Sequence, residues 1–235
     1  MLKELSDHFS YITDTGALKE EYRKAVVVEN CLTKRSLRNR ALTHKHLASL
    51  YSLNPSKVIF RALRYFWLKD EKGRPLLAFL CALARDPLLQ LSLPFLLNVS
   101  RESVVNRKEL EEYIDSKAQC RFSKITLESI AKNVNSTWTQ AGHLNGKAKK
   151  IRLSAKATPS STAYALLLGY LTGVRGVELF QTAYARALDC PKERAIELAE
   201  SAAVHGWIVL KHLGDVWEIR FPKLLTREEM EWARE

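Results

Sequence analysis

The sequence predicts a mainly α-helical, compact protein built from winged helix-turn-helix-like modules with short β-hairpin wings. Apolar residues recur at helical spacing along most of the 235 residues. Alternation typical of β-strands occurs in only two short places, at residues 147–156 and 208–221. Because 46% of the residues are apolar, the chain can bury a substantial core, which excludes an intrinsically disordered protein.

The first predicted module covers residues 1–70. One helix is expected from Leu18 to Val28 and a second from about Ser36 to Leu50. Asn54 followed by Pro55 is typical of a helix start, which predicts a third helix to about Leu68. A short turn joins the last two helices, as in a helix-turn-helix, although many helical hairpins of this shape bind nothing.

Basic residues of this module are the first candidates for DNA contact. Three of them recur at spacings of four and three, so one helix is expected to present them along a single outward edge. A further lysine lies on the preceding helix. These candidates are Lys45, Lys57, Arg61 and Arg64.

The second predicted module, residues 71–156, begins with an apolar hub. Two helices are expected between residues 75 and 100, divided near Asp86 and Pro87. Their uncharged runs are shorter than the roughly 20 residues that cross a bilayer, so a membrane partner is not expected. A short charged helix is expected at residues 106–114.

A longer helix follows, capped by Ser123 or Thr126 and ending near Ala141. Apolar residues at steps of three and four predict one buried face, and the opposite face bears amides, hydroxyls and a lysine that suit a DNA groove. The candidate residues of this recognition helix are Ser129, Lys132, Asn133, Ser136 and Gln140.

Gly142 is well placed to end the recognition helix, and a cationic segment follows it. We call residues 147–156 the basic wing, because cations alternate there with apolar residues as in a β-ribbon resting on phosphates. The candidate contacts in the basic wing are Lys147, Lys149, Lys150 and Arg152. The alternative is an ordinary surface helix followed by a solvated loop.

The third predicted module, residues 157–235, repeats the pattern of helices followed by a hairpin. A buried helix is expected from Thr158 to Leu171, with two more before a hairpin that turns at residues 213–215. Its would-be recognition helix bears three glutamates, Glu193, Glu197 and Glu200. Because carboxylates repel phosphates, we expect this module to support the fold or to contact a protein.

The formal net charge of +11 is concentrated in two segments. Residues 34–64 hold eight Lys or Arg and no acid, and residues 121–156 hold eight Lys or Arg and one acid, so these segments contribute 8 + 7 = 15 charges. The remainder of the chain is neutral or slightly acidic. Clustering of this kind is typical of a polyanion-binding protein, although a solvated basic face is the alternative.

No active-site motif is evident. The four cysteines are isolated from one another and have no histidine nearby at metal-ligand spacing, which predicts reduced thiols and a cytoplasmic location. No carboxylate lies close in sequence to His44 and His46 to complete a metal site. We therefore expect no metal, no cofactor and no enzymatic activity. A nuclease assembled from residues distant in sequence stays an alternative, to be tested with plasmid and magnesium.

Three segments resemble the BrxA family of bacteriophage-exclusion (BREX) systems: ENCLTKRS at residues 29–36, LLAFLCALARDPLL at 76–89 and TLESIAKNVNSTWTQAGHL at 126–144. The resemblance implies a small, mainly helical DNA-binding protein with winged-helix-like parts that serves as an accessory subunit of a phage-defence complex. It supplies no catalytic residues. The acidic third module has no clear counterpart in the family pattern.

These observations together predict a non-enzymatic binder of double-stranded DNA that acts with other subunits of a phage-defence complex. Two alternatives remain. The cations could meet acidic surfaces of partner proteins in an adaptor, or the chain could bind RNA, although few aromatic residues flank the basic segments.

Overall fold

The computed structural model describes residues 1–214 and 216–232, and the fold is mainly helical with two small antiparallel sheets. Five helices form the N-terminal part. Two of them, the fourth and fifth, pack against each other and against a buried helix from the C-terminal part. The five are α1 (Leu2–Tyr11), α2 (Lys19–Val27), α3 (Leu37–Tyr51), α4 (Val58–Lys69) and α5 (Arg74–Leu83).

A winged helix follows at residues 87–152. Three helices pack on one another, and a strand before the second helix joins the hairpin in a three-stranded sheet of order β1-β3-β2. Its elements are α6 (Pro87–Asn98), β1 (Val104–Val105), α7 (Arg107–Lys117), α8 (Lys124–Gln140), β2 (Leu144–Asn145) and β3 (Lys150–Arg152).

A second winged helix occupies residues 159–220. Its first helix is buried along almost its whole length, and its two strands pair over five residues each. Its elements are α9 (Pro159–Leu171), a 3-10 helix (Gly176–Gln181), α10 (Ala183–Arg186), α11 (Lys192–Val204), β4 (Val209–Leu213) and β5 (Val216–Arg220), and α12 (Arg227–Trp232) follows.

The apolar core is continuous through the N-terminal helices and both winged helices. It is centred on α5 and α9, whose apolar runs are buried as the sequence predicts. Within residues 1–214 and 216–232 no single helix is long and apolar enough to span a membrane. Only α5 and α6 taken together reach that length and composition, and they are bent by 116° at their junction.

The helix-turn-helix expected at residues 36–68 is not the arrangement found. The turn is longer than predicted, because the last helix begins at Val58 and has Lys57, not Asn54, as its N-cap. Helix α3 packs mainly against α2 and α5, whereas α4 packs mainly against α5 and α9. The two helices therefore share α5 as a neighbour but do not pack extensively against each other, as the helices of a helix-turn-helix do.

Candidate nucleic-acid interface

Helix α8 has the two faces that its sequence predicts. The Ser123 hydroxyl accepts a hydrogen bond from the Thr126 amide at 3.3 Å, which fixes the start of the helix. Trp138 is buried on the inner face, where its indole nitrogen donates to Ser92 Oγ at 3.0 Å and its ring packs on Phe79. Since α8 is anchored on this side, its other side is held toward solvent.

The outer face of α8 exposes all five of its predicted contact residues, but two of them hydrogen-bond to each other. Ser129, Lys132, Asn133 and Ser136 are all exposed. Gln140 is exposed as well, but its side chain is already engaged: Oε1 accepts from the Leu2 amide at 2.9 Å and Nε2 donates to Ser136 Oγ at 3.0 Å. Gln140 therefore anchors the start of α1, and we no longer assign it to base reading.

The basic wing contains strand β3 and most of the turn at residues 146–149, which joins β3 to its partner strand β2. Lys147 and Lys149 are exposed, and the half-buried Lys150 donates from Nζ to the Gly146 carbonyl at 2.5 Å. Gly146 adopts φ +99°, and a Cβ there would lie 2.1 Å from the Lys149 carbonyl oxygen. The turn thus requires glycine, and Lys150 stabilises it as well as adding charge.

Helix α8 and the basic wing form the two sides of an open groove of about 910 Å³, which we call the wing groove. Five cations line it together with several amides and hydroxyls, and Glu109 is the one acid among the lining residues. This mixture gives a positive potential beside groups that can hydrogen-bond to bases. The cations are Arg107, Lys132, Lys147, Lys149 and Lys150.

Several lining residues of the wing groove were not predicted as contacts from sequence, and Arg107, Asn135 and Thr139 are among them. Arg107 lies in a stretch whose charges balance, so the charge count gave no signal for it, and its guanidinium pairs with Glu111 at 3.0 Å. Asn135 is on the buried side of α8, and its Oδ1 has no hydrogen-bond partner among the described residues. Its spacing of four from Ala131 and three from Trp138 is a sequence signal for the buried face, whereas its polarity alone favours the outer face.

The prediction that Arg152 contacts DNA is wrong. Its side chain is only 2% exposed, and its guanidinium forms a two-point ion pair with Asp189, with both N to O distances at 2.7 Å. It also donates to the Leu96 carbonyl. Arg152 therefore joins strand β3 to the segment after α10, where no phosphate could reach it.

The outward basic edge predicted for α4 is also wrong. Arg64 is buried and donates to the carbonyl oxygens of Phe9 and Ile12, because α1 covers that side of α4. Arg61 is held by Glu229 of α12, with distances of 2.8 and 2.6 Å to its carboxylate oxygens. Of the three predicted cations only Lys57 is exposed.

Helix α3 retains its predicted basic character and lies beside α8. Lys45 is exposed on it, and only Leu47 and Tyr51 of its fifteen residues are buried. A second groove, of about 450 Å³, is lined by His46 and Ser49 of α3 and by polar residues of α8. The C-terminal half of α3 thus adjoins the polar face of α8. Neither Lys45 nor Lys57 lines either groove.

In the described part of the chain, no three His, Cys, Asp or Glu side chains are grouped so that they could hold a metal ion. Comparison with known proteins adds no assignment, since no family model, no curated protein and no solved structure matches this chain.

Proposed function

We propose that this protein binds double-stranded DNA through α8 and the basic wing, without catalysing a reaction. The single observation behind the proposal is the wing groove, where five cations and one acid surround a row of amides and hydroxyls. A helix in the major groove would place Ser129, Asn133 and Ser136 near base edges, while Lys147 and Lys149 would reach flanking phosphates. Lys45 on α3 would extend the contact along the duplex.

A role as an accessory subunit of a phage-defence complex, working with its other subunits in the cytoplasm, rests on the sequence resemblance to the BrxA family. The groove supports only the DNA part of the proposal. One structural feature suits a protein partner: Glu193, Glu197 and Glu200 are exposed along α11 and would repel DNA but attract a basic protein surface. An adaptor function through α11 is therefore compatible with DNA binding elsewhere.

The deciding experiment measures the affinity for a labelled duplex against salt concentration. About four to six phosphate contacts from the wing groove and α3 should give a log–log slope of about −4 to −5. Single-stranded DNA and duplex RNA of the same length compete in parallel, and duplex DNA should bind most tightly. A slope shallower than about −2, or a preference for RNA, would reject the proposal.

Charge reversal locates the contact surface. The variant Lys132→Glu/Lys147→Glu/Lys149→Glu should bind duplex DNA at least about 100-fold more weakly, since each reversal replaces attraction to a phosphate by repulsion. Lys150 is left intact because it closes the hairpin turn. The matched control, Lys72→Glu/Lys192→Glu/Lys211→Glu, makes the same change of net charge at other exposed positions. Equal losses in both variants would mean that the wing groove is not the binding surface.

A further inference from the structure

A pocket of about 370 Å³ lies between α2, α4 and the segment that follows β5, and we call it the α4 pocket. Its volume falls within the range of small-molecule sites. Aromatic and aliphatic side chains form most of its wall, and Leu68 at its edge is 53% exposed. The apolar wall includes Tyr22, Phe60, Tyr65, Leu68 and Leu224.

The α4 pocket is also cationic. Arg61, Arg64, Lys69 and Lys223 line it, and none of its lining residues is an Asp or Glu. Arg61 is neutralised by Glu229. Lys69 and Lys223 are exposed, and the Lys69 ammonium lies 4.7 Å from the centroid of the Tyr65 ring. Three positive charges in the wall therefore have no carboxylate within 4 Å in the described part of the chain.

Arg64 is the unusual member of this set because it is only 4% exposed and, like Lys69 and Lys223, has no counter-ion among the described residues. Two of its nitrogens donate to backbone carbonyls, and its guanidinium lies over the Phe9 ring at 4.5 Å. Its Nε atom has no hydrogen-bond partner within residues 1–214 and 216–232. Arginine stays protonated, and a buried charge without an opposite charge is costly. An anion in the α4 pocket would reduce this cost.

We propose that the α4 pocket binds a small organic anion with a flat apolar body, such as an aromatic carboxylate or an aromatic phosphate ester. The ring of the ligand packs on Tyr65 and Leu68, the accessible apolar residues of the wall, and its anionic group lies toward Arg64 with Lys69 and Lys223 at the rim. This site shares no lining residue with the wing groove, and its ligand is independent of the proposed DNA binding.

Isothermal titration calorimetry of the whole chain tests the proposal with three probes of similar size: indole-3-acetate, indoxyl phosphate and the neutral indole-3-acetamide. At least one anion should bind with a Kd below about 1 mM and at least about tenfold more tightly than the neutral amide. The tighter anion identifies the anionic group. Absence of binding by both anions, or equal binding of acid and amide, would overturn the proposal.

Two sets of variants assign the binding to the α4 pocket. Lys69→Glu/Lys223→Glu changes only exposed rim residues, so the fold should be retained and the anion should bind about tenfold more weakly or not at all. Lys72→Glu/Lys192→Glu is the control of equal charge and should bind as the unchanged chain does. Arg64→Met, if its circular dichroism is that of the folded chain, should also lose the anion. Unchanged affinity in the rim variant would overturn the assignment.

Discussion

The two winged helices of this chain share a succession of helices followed by a hairpin, but the exposed faces of α8 and α11 differ in charge. In the first, α8 presents Lys132 between amides and hydroxyls, and the hairpin that follows is cationic. In the second, α11 occupies the equivalent place and presents Glu193, Glu197 and Glu200. The tip of its hairpin bears Leu213, which is 87% exposed, instead of lysines. The helices and hairpin thus provide a shape that either charge can occupy. The exposed side chains determine which kind of partner can bind to it.

The two modules are joined by the ion pair between Arg152 and Asp189, and breaking it should give the largest effect. Arg152→Met leaves the buried Asp189 carboxylate with only the Ala155 amide at 3.2 Å and the Arg101 guanidinium at 4.0 Å, which should lower the free energy of unfolding by about 3 kcal/mol. Urea denaturation measures this loss. Arg186→Met, at an exposed arginine of α10, is the matched control and should change stability by less than about 0.5 kcal/mol.

Asp189→Asn in the Arg152→Met background should recover part of the stability, because it removes the unpaired charge. If Arg152→Met were as stable as the unchanged chain, the ion pair would not hold the modules together.

Acid should weaken the contact between the modules at a second point. Burial between Phe79 and Trp138 lowers the pKa of His143 to about 4, and its Nε2 lies 2.8 Å from the Ala187 carbonyl oxygen of the second module. In the unfolded chain a histidine has a pKa of about 6.5, so between these values the unfolded state binds a proton that the folded state does not. Stability is full above pH 6.5 and falls by about 3 kcal/mol toward pH 4.

His143→Gln tests this acid sensitivity, since an amide can still donate to the Ala187 carbonyl but does not titrate. Urea denaturation from pH 7 to pH 4 should show a shallower loss of stability for this variant, by about 3 kcal/mol over the range. His205→Gln removes an imidazole that is exposed in the second module and is the control. An identical pH dependence of His143→Gln and the unchanged chain would contradict the prediction.

The hairpin turns offer a third comparison, because each contains a glycine with positive φ. Gly146→Ala would bring a Cβ 2.1 Å from the Lys149 carbonyl oxygen, whereas nothing lies within 4 Å of a Cβ at Gly214. Gly146→Ala should therefore cost about 1–3 kcal/mol and displace Lys147 and Lys149, with weaker binding of duplex DNA.

Gly214→Ala is the control for backbone strain alone and should cost about 1 kcal/mol with no change in DNA affinity. Thermal unfolding and fluorescence anisotropy with a labelled duplex measure the two quantities. Retained DNA affinity in Gly146→Ala would show that the shape of this turn does not matter for binding.

Local patterns in the sequence are sufficient to predict much of the first winged helix. The cap at Ser123, the buried Trp138 and the exposed Lys132 follow from short-range rules of helix capping and periodicity. The two-residue strand β1, which completes the sheet, is too short to give a periodic signal. Helix α1 was also not predicted, and it is the element that covers Arg64.

The wrong predictions share a cause. Arg64 and Arg152 have the spacing of surface cations, but each is buried by a segment far away in sequence, namely α1 in one case and the residues around Asp189 in the other. Helical or strand periodicity tells which face a residue is on and not what packs against that face. An arginine side chain in particular can be buried where carbonyl oxygens or a carboxylate accept hydrogen bonds from its five N–H donors.

The smallest predicted effect tests the comparison most directly. Suppose that the second winged helix has a shape that fits DNA and lacks only the positive charge that would attract phosphates. Glu193→Lys/Glu197→Lys/Glu200→Lys should then raise the affinity of the whole chain for duplex DNA by about tenfold at low salt. The salt dependence should also become steeper, by about one unit of slope for each new phosphate contact. Fluorescence anisotropy at several salt concentrations gives both values.

The control Glu20→Lys/Glu71→Lys/Glu102→Lys adds the same charge at exposed positions outside the second winged helix. A larger gain for the α11 variant would mean that shape and charge act together, since only there do the new cations lie along a helix that a DNA groove can receive. Equal gains in DNA affinity for the two variants would mean that the added net charge alone accounts for the tighter binding. The helices and hairpin of the second module would then serve to pack α9 into the core. They would not be a DNA-binding surface that has lost its positive charge.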